Sequence, residues 1–226
     1  MSKNNNFKIE KKAIFIIILT FIISSIIEIG IHFLFLKSSG IMIDYALWFL
    51  YLNISIAFLI GCTWHFITYK VKINCMTGMM IGMSLGMQAG MLIGGIVGIT
   101  NGFFIGAMAG TLIGVGIGVW SGLHSKTTMG VLQGMMSGIM GGTMGSMITV
   151  MMFTDHIKAF MPVYMLINVA ILVGMSYMFY EEAIKDNHEE YKLVHVKIST
   201  IISVTVIVTF LLNGVILFLP KSIFLV

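Results

Sequence analysis

Residues 78–122 read GMMIGMSLGMQAGMLIGGIVGITNGFFIGAMAGTLIGVGIGVWSG, and the spacing of glycine within them sets the expectation for the whole fold. Glycine recurs at Gly78, Gly82, Gly86, Gly90, Gly94, Gly98, Gly102, Gly106, Gly110, Gly114, Gly118 and Gly122, twelve consecutive positions four apart. The phase skips once, at Lys126, and resumes at Gly130, Gly134, Gly138 and Gly142. Four residues turn an α-helix by about 400°, so these glycines form a stripe that drifts by about 40° per step. Such a stripe is a shallow groove into which a second helix backbone presses. In lipid, close van der Waals contact of this kind replaces the missing hydrophobic drive. Each glycine costs roughly 1 kcal/mol of helix propensity relative to alanine, so sixteen in phase are a heavy penalty unless close approach offsets it.

The run cannot be one crossing. A helix over its 45 residues would reach about 68 Å at 1.5 Å per residue, about twice a hydrocarbon core of roughly 30 Å. Thr100-Asn101-Gly102 is the expected reversal, since Asn-Gly tolerates positive φ. Ser121–Thr128, which is polar and carries His124 and Lys126, is the second. The expectation is therefore a glycine-zipper core of three helices over 76–153, packed through the ladder glycines.

The composition beyond the ladder agrees. Of 226 residues, 58% are hydrophobic and 10% charged, with a mean hydropathy of +1.01. Soluble domains carry about 25% charged residues, so a water-soluble enzyme and a disordered chain are both excluded. The expected fold is all-α, a polytopic transmembrane helix bundle of about seven spans: Ala13–Leu36, Tyr45–Tyr69, Met76–Ile99, Phe103–Trp120, Met129–Phe153, Phe160–Tyr180 and Ile198–Leu219. Phe103–Trp120 is the shortest and the first to be doubted. The implied organisation is a cytoplasmic N-terminus (1–12), two spans (13–70), the Gly/Met-rich core (76–153) and two spans with a charged loop at 181–197 (160–226). The apolar run after the first lysines is too long for a signal peptide and reads as a retained span. With the N-terminus inside, ten lysines fall on the cytoplasmic side and three, Lys37, Lys158 and Lys221, outside. The expected location is the cell membrane. Ile17 and Ile207 are expected to face lipid.

The net charge of +4 comes from 13 lysines without a single arginine, scattered along the chain; that is no nucleic-acid footprint. Two cysteines make neither a disulfide framework nor a zinc ribbon. No Ser/His/Asp set, catalytic carboxylate pair or phosphate-binding glycine loop is present, so the chain reads as no enzyme.

Methionine is the second anomaly: 21 in the chain, 15 of them between residues 76 and 152. Met79, Met83, Met87 and Met91 each follow a ladder glycine and form their own stripe; Met136, Met140, Met144, Met147 and Met151 share a face at spacings of four and three. Two readings stand side by side. Methionine is a flexible gap-filler that packs well against irregular surfaces, or its thioether is a soft ligand suited to Cu(I). Hard cations would want carboxylates, and residues 76–153 contain no Asp or Glu. In the second reading Met83, Met87, Met140 and Met144 face one interior, Met151, Met152 and His156 collect the ion outside, and Cys75, Met76 and His65 handle it inside. Cys62-x-x-His65 puts both side chains on one helical face, a weak signal for a metal. Glu28 and His32, spaced i, i+4, are either a functional intramembrane pair or a neutralised one. Asn53, Gln88, Gln133, Asn168 and Asn213 read as interhelical hydrogen-bonding residues.

M-x-x-x-M and G-x-x-x-G within one set of spans resembles the motif logic of Ctr-type copper transporters, over residues 76–152. Those transporters have three spans per subunit and work as trimers, whereas this chain is expected to have about seven spans and could enclose a site alone; what the resemblance implies is handling of Cu(I). The whole chain is also similar to Gly/Met-rich multi-pass proteins of prokaryotes. Two functions follow as expectations: transport or handling of a soft metal ion, or a non-catalytic scaffold or assembly factor that binds partner membrane helices, or copies of itself, through the glycine ladder.

Overall fold

The computed structural model describes residues 3–31, 42–70, 75–152, 155–181, 192–193 and 198–218. They form seven helices: α1 (Lys3–Ile31), α2 (Met42–Thr68), α3 (Cys75–Asn101), α4 (Phe103–His124), α5 (Thr128–Met151), α6 (Ile157–Tyr180) and α7 (Ile198–Phe218). Two-residue strands β1 (Tyr69–Lys70) and β2 (Lys192–Leu193) pair with each other. The charged loop at 181–197 and His32 lie almost wholly outside the described residues. Six helices, all but α5, are long and apolar enough to cross a membrane. Phe103–His124, the segment doubted on sequence, is among them. The helix that falls short is α5, because glycine, serine and threonine dilute its apolar content over the same 24-residue length.

The chain divides into two compact units. One contains α1, α2 and α7 as far as Asn213; the other contains α3–α6 and the chain from Gly214 onward. In the second unit α3, α4 and α5 pack against one another more extensively than any other helices. All fourteen glycines singled out for packing, from Gly78 to Gly142, are buried. They meet level by level. A methyl group in place of the Gly110 hydrogen would lie 2.6 Å from Gly94 Cα and 2.9 Å from Gly142 Cα. One level along, a methyl at Gly114 would lie 3.0 Å from Gly90 Cα and 2.9 Å from the Gly138 carbonyl oxygen. Gly86, Gly118 and Gly134 make the next level, and at the far end Gly98 meets Gly106 on one side and Ser146 on the other. As the α3 numbers rise by four, those of α4 fall and those of α5 rise, so α4 runs antiparallel to its two neighbours and α5 parallel to α3. Helix α5 thus lies alongside α3 from Gly82 to Gly98.

The reversals lie where the turn chemistry places them. Gly102, at φ 93°, joins α3 to α4, a conformation that glycine alone adopts freely. Lys126, at φ 56°, sits in the second reversal, between His124 and Thr128. Asn101 ties the first reversal to the end of α7, its Nδ2 donating to the Ile216 carbonyl at 3.3 Å.

In the first unit Gly61 of α2 receives Ile17 of α1, whose Cδ1 lies 2.9 Å from where a Cβ would stand. Ile17 therefore packs on a glycine rather than facing lipid, which corrects the expectation from sequence; Ile207 is exposed. Ile16, Trp64 and Ile201 form one buried cluster. Eight residues further along both α1 and α7, the hydroxyls of Ser24 and Thr209 lie 3.3 Å apart. These two points of closeness mean that α1 and α7 run in the same direction, with Thr20 and Thr205 buried between them.

Candidate functional site

Glycine on the facing sides of α3, α4 and α5 brings backbones together and leaves no side-chain volume between them. Large side chains are driven outward, and on α3 they meet α6. Met80, Met83, Met87 and Met91 of α3 and Met175 and Met178 of α6 line one groove of about 630 Å³. From Met80 to Met91 it runs about 16 Å at 1.5 Å per residue, roughly half of a 30 Å hydrocarbon core. Phe160, Val163, Ile167 and Ile171 complete an almost wholly apolar wall.

The backbone under these thioethers is fixed from behind. Gly141 and Gly145 of α5, which stand outside the four-residue phase, press on Met87 and Met91; a methyl at Gly145 would lie 2.6 Å from the Met91 carbonyl oxygen. That same carbonyl accepts a hydrogen bond of 3.0 Å from the Tyr164 hydroxyl of α6, and Tyr164 stacks on Phe160. Ser146 and Thr149 of α5 donate across to the carbonyls of Gly94 at 2.9 Å and Gly95 at 3.0 Å. Gln133 Nε2 approaches the Met83 sulfur at 3.6 Å.

Polar groups in the groove are few. Asn168 is buried and donates to Tyr164 O within its own helix at 2.7 Å. Gln88 is buried too, and its Oε1 has no hydrogen-bond partner among the described residues. Of the five amides expected to bridge helices, Asn53 and Gln133 reach across, while Asn168 and Asn213 turn back to the carbonyl four residues earlier. The hydroxyls of Ser146, Thr149 and Tyr164 carry much of the bridging that the sequence assigned to amides.

The sequence-derived ligand set is only partly brought together. Met83, Met87 and Met91 share the groove; Met79 is half-buried and does not line it. Met83, Met87, Met140 and Met144 do not face a common interior: Met140 is 57% exposed and Met144 40%, and neither lines the groove. The reason is the ladder itself, which fills the space between α3 and α5 with backbone. Met136, Met147, Met151 and Met152 are likewise exposed on α5 and at its end. His156 and Asp155 stand in the open beside them, 3.8 Å apart. Cys75 and Met76 are exposed at the start of α3, whereas His65 and Cys62 are buried in α2, in the other unit. Among the described residues no three His, Cys, Asp or Glu side chains are placed to hold a metal ion together. On sequence Met80 is expected only as a further soft donor at the cytoplasmic end, and Met175 and Met178 are missed because neither belongs to the two methionine stripes.

No protein-family model, curated protein or solved structure matches this chain.

Proposed function

We propose that this integral membrane protein binds and handles a soft metal ion, Cu(I), at the methionine groove between α3 and α6. One observation carries the reading: six thioethers from two helices line a single apolar groove. Thioether sulfur is a soft donor that suits Cu(I) and offers little to Mg²⁺ or Ca²⁺. The M-x-x-x-M likeness to Ctr-type copper transporters supports the same reading, with Met83, Met87 and Met91 as its ligands on α3 and Met175 and Met178 added from α6. In this proposal the protein lies in the cell membrane with its N-terminus in the cytoplasm.

The competing reading, a scaffold that grips partner helices through the glycine ladder, is the weaker one. The ladder glycines of α3, α4 and α5 already lie against one another, which leaves no such stripe free on those faces.

The test compares two quadruple variants of the purified protein under reducing conditions, with a chromophoric Cu(I) chelator as competitor. M83L/M87L/M91L/M175L removes the groove sulfurs, and M136L/M140L/M144L/M147L removes as many from the exposed face of α5. Leucine conserves volume, and each swap costs less than about 1.5 kcal/mol. The first variant is expected to stay folded and lose Cu(I) at least tenfold; the second is expected to bind like the parent. Equal retention by the folded first variant would refute the groove as the metal site.

A further inference from the structure

A different set of groups lies in the unit formed by α1, α2 and α7. Asn53 of α2 is its centre: its Nδ2 donates to Glu28 Oε2, and its Oδ1 accepts from the Ser24 hydroxyl. Ser24 also lies 3.3 Å from the Thr209 hydroxyl of α7. Because α1 and α7 run in the same direction with Ser24 level with Thr209, Glu28 and Asn213, each four residues on, come to one level. Both carry a buried acceptor that has no partner among the described residues, Glu28 Oε1 and Asn213 Oδ1. The Asn213 amide nitrogen is committed to the Thr209 carbonyl at 2.8 Å, so its oxygen is the end turned away from its own helix.

Two partnerless acceptors at one level, one of them on a carboxylate, are a costly pairing in a membrane span. Among the described residues Asn53 of α2 is hydrogen-bonded to Glu28, and the common direction of α1 and α7 brings Thr209 and Asn213 toward its level. None of them titrates, and His32, one turn further along α1, lies outside the described residues. Among the described residues no cation is paired with Glu28. What the level lacks is a positive charge small enough to sit between oxygens. We propose that this is a binding site for one monovalent hard cation, a proton or Na⁺, held on Glu28 Oε1 with Asn213 Oδ1 as the second oxygen and the Ser24 and Thr209 hydroxyls beside it. The site is independent of the methionine groove in position and in chemistry, since it offers oxygen where the groove offers sulfur.

A hydrophobic carbodiimide tests this on the full chain, because it reaches lipid-embedded carboxyls and adds to them only when they are protonated. Adduct formation at Glu28 is followed by peptide mass spectrometry across pH, in choline chloride and in NaCl of equal ionic strength. Because the reagent itself needs a protonated carboxyl, the midpoint of labelling is what discriminates: slowing by Na⁺ at constant pH identifies Na⁺ as the bound cation, and labelling that persists to neutral pH with no effect of Na⁺ identifies a held proton. Either result supports the site. Glu28 left unmodified, or labelled only near the ordinary glutamate value of about 4.3 with no effect of Na⁺, overturns it. Asn213→Leu removes the second oxygen without adding a charge, and loss of a hydrogen bond to a charged group should shift the pH or Na⁺ midpoint by about tenfold in concentration. A variant that labels with the parent's ion dependence would show that Asn213 takes no part. Where Na⁺ slows labelling, melting temperature in Na⁺ and in choline is the second readout: the parent should be stabilised by Na⁺ and folded Glu28→Gln should not, whereas an equal rise in both rules out Na⁺ binding at Glu28.

Discussion

Gly114 and Gly116 stand two residues apart in α4 and have opposite surroundings. A methyl at Gly114 would meet three backbone atoms within 3.0 Å, the carbonyl oxygens of Gly138 and Gly86 and the Cα of Gly90, whereas one at Gly116 would meet nothing within 4 Å. Backbone cannot swing aside as a side chain can. Gly114→Leu is therefore expected to destabilise by at least the 1–3 kcal/mol that overpacking typically costs. Gly116→Leu should be silent, or should gain up to about 1 kcal/mol of helix propensity. Unfolding of the detergent-solubilised protein by increasing dodecyl sulfate reads both, and equal tolerance would mean that α3, α4 and α5 are not held by this contact. The difference was legible in the sequence, because Gly114 is in the four-residue phase and Gly116 is not. Gly141 and Gly145 were not legible, since nothing in their spacing says that they press on Met87 and Met91.

At the scale of the helix, a ladder whose rungs repeat every four residues has a register problem. Sliding one helix past another by four residues lays glycine on glycine again. The fixed register comes from features outside the ladder: the short reversals at Gly102 and Lys126, and the hydroxyls of Ser146 and Thr149 on the Gly94 and Gly95 carbonyls. One alanine inserted between Ala109 and Gly110 rotates the rest of α4 by about 100° and turns Gly110, Gly114 and Gly118 away from both neighbours. Duplication of Gly106–Ala109 keeps the phase and displaces the rungs by one level. The single insertion is expected to lower the melting temperature and the monodisperse yield further than the fourfold one; the reverse order would mean that phase is not what the helices read. Helix positions and reversals followed from hydropathy and turn chemistry, both local properties of the chain. The groove did not, because the partner of the α3 methionines is set by where α6 docks, and Met175 and Met178 have no repeat of their own. The expectation of a shared interior for Met83 and Met140 failed for a related reason: periodicity puts residues on a face without saying whether that face meets a side chain, a backbone or lipid.

For the molecule as a whole, the ten-to-three distribution of lysines predicts the N-terminus in the cytoplasm. Cysteines placed at Ser38 and Asn187, on a background without Cys62 and Cys75, should react with an impermeant thiol reagent in intact cells at 38 and not at 187; the opposite pattern would invert the orientation. Among the described residues six helices are long and apolar enough to cross a membrane, an even number. The common direction of α1 and α7 predicts an odd one. Two spans that point the same way are always separated by an odd number of crossings, since each crossing reverses the sense of the chain. Between α1 and α7 there are five helices, α2 to α6, and the count is odd only when α5 crosses with the others. A pairing of two hydroxyls, Ser24 with Thr209, thus bears on a helix that neither touches: set in a bilayer, it predicts that α5 crosses with the other six in spite of its composition, which a cysteine placed at either end of α5 would test with the same impermeant reagent.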